Sequence, residues 1–250
     1  MKQTRTSLLD ARVFHERHQW YPAQVSLTSF SRYVLRTTDV AAATTFYDVV
    51  LGRRRDDIVP IPESARARGA RPLWLGHIGV RELGGADAVA RRFVERGAMR
   101  LGPPSATGDV VLRDPGGAIL ALTDAVAEPP TDVVWHQLNT RDCATATANY
   151  AALFAWSFTE PFELGALGCQ QAFALGSGEA TIGGFSDVAG RPEVHAHWLF
   201  FFAVRSLDAA AEQVQAHGGI VIGPTELPNG VRVAACDDPQ GAAFGLIERR

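Results

Sequence analysis

The side chains of this sequence that could do chemistry fall at alternating positions of short extended stretches. Trp135, Gln137 and Asn139 are spaced by two, and so are His195, His197, Leu199 and Phe201. A β-strand turns successive side chains to opposite faces, so each set shares one face. Histidine in such a place is a candidate general base, with His197 the candidate catalytic group. The amides would orient a ligand, and Trp135, Leu199 and Phe201 would supply apolar contact. Arg32 and Arg36 also share a face and would form an anion site if enclosed, or a solvated surface if open. His77 is a second candidate base, and an ordinary structural histidine is the alternative. His195 with His197 could hold a metal only weakly, because no third ligand accompanies them.

Residue types exclude much else. Lys2 is the only lysine, which removes a P-loop lysine and speaks against a Schiff-base lysine. Cys143, Cys169 and Cys236 are odd in number and widely spaced, so neither a disulfide framework nor a zinc knuckle is expected. A reducing compartment, the cytoplasm, fits them, and the first twenty residues lack the apolar core of a secretory signal. Lys+Arg 24 against Asp+Glu 27 gives a net charge of −3, which speaks against nucleic acid as a partner. No apolar run reaches the roughly 20 residues of a membrane span. The triplet Arg53-Arg54-Arg55 reads as a solvated turn, and His15, Glu16 and His18 as surface residues of an N-terminal extension. Gly176, Gly178, Gly183 and Gly184 read as turn glycines rather than a phosphate loop. With 250 residues, 46% of them hydrophobic, the chain can hold two ordinary domains with a sizeable core.

The elements that position these groups occur twice. Tyr33, Asp39 and Tyr47 return as His136, Asp142 and Tyr150, 103 positions on. Trp74, Val80 and Asp114 return as Trp198, Val204 and Asp238, 124 positions on. The difference between the offsets falls between Arg53 and Pro72, where the first copy lacks about a hairpin. In each copy an alternating strand leads into Asp39 or Asp142 as N-cap of an Ala-rich helix. Second helices over Ala86–Gly97 and Leu207–Gly218, then Asp-Pro-x-Gly turns, lead to last strands over Ala118–Thr123 and Ala242–Ile247. These elements divide the chain into an extension over 1–28, a shortened module over 29–124, a Pro-containing linker over 125–132 and a second module over 133–250.

This duplicated pattern, with Thr-x-Asp before a Tyr-bearing helix, Trp198 to Val204, and Asp238-Pro-x-Gly-Ala-x-Phe, resembles the vicinal oxygen chelate superfamily, which includes glyoxalase I, extradiol dioxygenases and bleomycin-resistance proteins. The resemblance implies an α+β fold: two tandem modules, each of paired βαβββ units curled into a cup with helices outside. It also implies a divalent metal held in the cup by His, Gln or Glu. The corresponding positions are Trp135, Leu199 and Gly245 in the second module and Arg32, Leu75 and Ala121 in the first. None carries a usable ligand, so no metal or other cofactor is expected. A divalent metal such as Fe, Mn, Ni or Zn on His136, His197 and Glu248 is the alternative, though strand parity turns His136 and Glu248 away from the cup. The expected function is binding of a small, partly aromatic or anionic molecule, for sequestration or for a proton-transfer or lyase step on His197. A metal-dependent lyase or dioxygenase and a non-catalytic scaffold are the alternatives, in a monomer or homodimer.

Overall fold

A computed structural model describes residues 28–126, 132–163, 165 and 168–249. Residues 1–27, with His15 and His18, and most of the linker lie outside the described residues. The first sheet uses β1 (Phe30–Thr37), β2 (Ile58–Pro60), β3 (Leu73–Gly79), β4 (Met99–Arg100), β5 (Val110–Arg113) and β6 (Ile119–Thr123), in the order β2-β1-β3-β6-β5-β4. Its helices are α1 (Val40–Leu51), the short α2 (Glu63–Arg66) and α3 (Ala86–Glu95). The second sheet contains β7 (Val133–Asn139), β8 (Ser157–Phe158), β9 (Phe162–Glu163), β10 (Cys169–Ala174), β11 (Gly183–Ser186), β12 (His197–Val204), β13 (Ile220–Glu226), β14 (Arg232–Asp237) and β15 (Ala243–Glu248). With it go α4 (Cys143–Phe154) and α5 (Leu207–Ala216).

In order β13-β14-β15-β12-β7-β11-β10-β8, the second sheet places two βαβββ units side by side, joined through antiparallel β12 and β7. The first sheet repeats this with β3 against β1. Its β2 pairs parallel with β1 as β11 does with β7, and no counterparts of β8 and β10 lie between. The chain here makes α2 instead of a hairpin.

Local chemistry explains the helix ends. The Asp39 carboxylate accepts from Ala42 N at 3.0 Å and the Asp142 carboxylate from Thr145 N at 2.9 Å, each satisfying an orphan donor of the first turn. Gly52 then ends α1 in the left-handed region at φ 67°. Ala155 ends α4 there at φ 57°, a place where glycine is the usual residue.

The faces of the two sheets that point away from the cups pack on each other. Phe30 stacks on His136 with centroids 4.8 Å apart, and Phe200 meets Phe30 edge-on at 5.4 Å. Gly76 makes this approach feasible, since a Cβ there would lie 2.5 Å from the Phe200 ring. Burying each such ring contributes about 1.5–3 kcal/mol. On the flanks α1 packs on α5, and α3 on α4.

Two local expectations are corrected. Arg55 is not solvated but only 7% exposed. Its guanidinium is bound by Asp57 and Asp132 and lies 4.9 Å from the centroids of Trp74 and Phe202. An arginine triplet looks solvated in sequence, but a planar cation between aromatic faces with two carboxylates is well placed inside. Gly183 and Gly184 belong to β11 rather than to a turn: a Cβ at Gly183 would meet the His136 carbonyl at 2.2 Å, and one at Gly184 would meet Trp135 and Gln137 at 3.4 Å.

Candidate functional site

The cup of the second module encloses a cavity of about 440 Å³, within the range of small-molecule sites. Trp135, Gln137 and Asn139 reach it from β7, and His197, Leu199 and Phe201 from β12, directly opposite in register. All six share this one cavity. Their neighbours were not apparent from those two strands. Phe162 and Gln170 come from the β9/β10 hairpin, and Leu227 and Val233 from the far half of the sheet. Gln170 and Gln171 are adjacent in Cys169–Ala174, so no alternation marks which of them faces the cup, and Phe162 and Leu227 sit in stretches too short or irregular to carry a signal.

Several polar groups of the cup already have partners. Trp135 Nε1 donates to Gln137 Oε1 at 3.3 Å, and Gln137 Nε2 donates to Gln170 Oε1 at 3.0 Å. His197 Nδ1 lies 2.8 Å from the His195 carbonyl, which makes it the protonated nitrogen, and Nε2 is 3.3 Å from the Asn139 amide nitrogen as acceptor. Burial pulls the His197 pKa down to about 4. At neutral pH the ring is therefore uncharged, weakly basic, and has its lone pair occupied.

The three positions that the family resemblance assigns to metal ligands present an indole, an isobutyl group and no side chain. At the third, a Cβ on Gly245 would lie 2.3 Å from Phe201 Cδ1, so the Phe201 ring fills the room that a ligand at this position would need. This donor set does not fit a metal. The substitute triad fails as well. His136 lies on the opposite face of β7, where its Nε2 is 2.5 Å from the Tyr33 hydroxyl. Glu248 accepts from Leu207 N at 3.0 Å, at the start of α5. Only His197 of the three reaches the cup, because one residue of parity separates each of the others from it. Among the described residues no three His, Cys, Asp or Glu side chains cluster as a metal site.

In the first module Arg32, Arg36 and His77 gather around a residue the sequence reading did not single out. Asp109 accepts from Arg32 at 2.7 Å and lies 3.8 Å from His77 Nε2. Its carboxylate takes the role that an external anion would play for Arg32. Burial, and then the Arg32 charge, lower the His77 pKa to about 4. Burial likewise lowers that of Arg36. Asp109 lies in a polar turn before β5, where no periodicity marks a carboxylate as inward-facing.

Residues 29–246 match the model of the "Glyoxalase/Bleomycin resistance protein/Dioxygenase superfamily". The chain is 31% identical to "Putative glyoxylase CFP32" of Mycobacterium bovis, over 86% of this chain and 92% of that protein. It is 27% identical to anthracycline biosynthesis protein DauV of Streptomyces sp. strain C5, over 73% of this chain and 68% of that protein. In structure it resembles the 2,3-dioxygenase LapB from Pseudomonas sp. KL28, with TM-score 0.56 and 14% identity, covering 89% of this chain and 93% of that one. At that identity the likeness concerns the fold.

Proposed function

Since the chain belongs to the glyoxalase/bleomycin resistance protein/dioxygenase superfamily, we propose that its second cup binds a flat, partly aromatic organic molecule without the family's metal. The observation that carries this reading is Phe201 lying over Gly245, which gives the cup an aromatic wall where a metal ligand would stand. Trp135 and Phe162 add apolar area, and the Gln137–Gln170 amides offer oriented donors and acceptors. An anionic substituent would find Arg191 at the same cavity.

Sequestration is favoured over proton transfer. A base with its pKa near 4 and its lone pair engaged by Asn139 has little driving force at neutral pH. The free state of Cys143, Cys169 and Cys236 supports a cytoplasmic location. The modules pack on each other within one chain, which supports a monomer.

The test uses quinizarin, a dihydroxyanthraquinone suggested by the relative named for anthracycline biosynthesis. Calorimetric titration of the full chain is expected to give one saturable site, weakened at least about tenfold in the Trp135→Ala, Phe201→Ala double variant. Unchanged affinity in that variant overturns the reading, as does stoichiometric Fe, Mn, Ni or Zn in protein purified without chelator. Failure of quinizarin and of a panel of smaller hydroxylated aromatics to bind would leave the scaffold alternative.

A further inference from the structure

The two copies are finished differently where they meet. In the turn of the second module, Gln240 plugs the start of α1. Its Oε1 accepts from Thr38 N at 3.0 Å, Thr38 Oγ1 at 2.8 Å and Asp39 N at 2.8 Å, while its Nε2 donates to Asp39 O at 2.9 Å. By the repeat, the counterpart of Gln240 is Gly116 and the counterpart of Thr38 is Arg141. Glycine has no side chain to reach across, so this second plug is missing.

A cleft of about 400 Å³ opens at this place, between the starts of β3 and β12, and is walled by Arg71, Arg113 and Arg141. The three arginines come from three separate segments and are all exposed. Among the described residues none of them has an ion pair or side-chain hydrogen bond, and no carboxylate lines the cleft. The repeat places His195 opposite Arg71 and Asp237 opposite Arg113. Divergence of the copies has therefore concentrated positive charge on one side of a nearly symmetric junction. Like charges in a concave wall repel one another and focus a positive potential, and guanidinium forks match the oxygens of phosphate and carboxylate. Arg32 and Arg55, by contrast, are neutralised by Asp109, Asp57 and Asp132.

We propose that this cleft between the modules is a second binding site, for a small molecule carrying phosphate or carboxylate groups with at least two negative charges. It adjoins the cup through His195 and His197, yet its three arginines are the same whatever the cup binds.

Calorimetric titration of the full chain with inorganic pyrophosphate and, separately, with citrate tests it. At least one of them is expected to bind a single saturable site that weakens as NaCl rises. In the Arg113→Gln, Arg141→Gln double variant, binding is expected to fall at least about tenfold. Binding of pyrophosphate only, or of citrate only, assigns the source as phosphate or carboxylate. Absence of saturable binding for both, or a double variant that binds within about twofold of wild type, overturns the proposal. Arg71→Gln, a single exposed change, provides the same reading if the double variant unfolds. Quinizarin titration of the double variant is expected to match wild type, so failure at the cleft and failure at the cup are read separately.

Discussion

Tyr33 and His136, equivalent positions of the internal repeat, meet each other across the junction of the modules with Tyr33 Oη 2.5 Å from His136 Nε2. His136 Nδ1 lies 2.8 Å from the Ile182 carbonyl and donates to it. Nε2 is thus the acceptor and the Tyr33 hydroxyl the donor. Burial lowers the His136 pKa to about 4 and pushes that of the Tyr33 phenol up. The unfolded chain takes up a proton near pH 6.5, and the native state does so only near pH 4. Stability from this site is complete above pH 6.5 and is lost as pH falls to about 4.

That loss is roughly 3 kcal/mol for His136. His77 and His197 contribute in the same direction, while Asp114 and Asp238, whose pKa values burial raises, oppose it. In His136→Gln the glutamine oxygen can still accept from Tyr33, and urea unfolding between pH 7 and pH 4 is expected to show a shallower decline than wild type. An unchanged slope would mean that His136 takes up its proton in the native state at an ordinary pH.

A second pair of contacts crosses the junction in both directions. Tyr47 donates to Asp238 at 3.3 Å and Tyr150 to Asp114 at 3.1 Å, while Trp74 and Trp198 donate to the same two hydroxyls at 2.9 and 3.3 Å. Tyr47→Phe leaves a buried indole N–H without its acceptor and a buried carboxyl without one of its donors. It is expected to cost about 1–3 kcal/mol in urea melts, and Tyr150→Phe a similar amount.

The arginine triplet separates buried from surface charge. Arg55→Met removes the arginine partner of Asp57 and one of the two arginines on Asp132, which keeps Arg53, and is expected to destabilise by about 3 kcal/mol. Arg54→Met, at an exposed position one residue away, is expected to stay within about 0.5 kcal/mol of wild type. Comparing the two melting curves checks this directly.

Gly245→Ala probes the floor of the cup. The added methyl would lie within 2.3 Å of Phe201, so the ring must rotate away from its place. Overpacking of this kind is expected to cost about 1–3 kcal/mol, and quinizarin affinity is expected to fall with it. Wild-type stability together with wild-type affinity would show that Phe201 does not rest against this glycine.

Much of the lining of the candidate cup was legible before folding because strand parity is a local property. Trp135, Gln137, Asn139, His197, Leu199 and Phe201 reach one cavity because alternation along β7 and β12 fixes their faces. The same rule turned His136 and Glu248 away. Asp109, Phe162 and Leu227 were not legible, since each lies in a turn or a short strand whose direction depends on what it packs against.

What the sequence determined by itself is the doubled βαβββ plan, the shortened first copy and the composition of each strand face, all of which follow from repeated spacing and periodicity. Only the tertiary structure decided which groups neutralise or cover one another: Asp109 on Arg32, Asp132 on Arg55, Tyr33 on His136, Gln240 on the start of α1, and nothing among the described residues on Arg141. The reason is physical. These pairings join residues tens to hundreds of positions apart, and their energies depend on burial and distance, which no local pattern encodes.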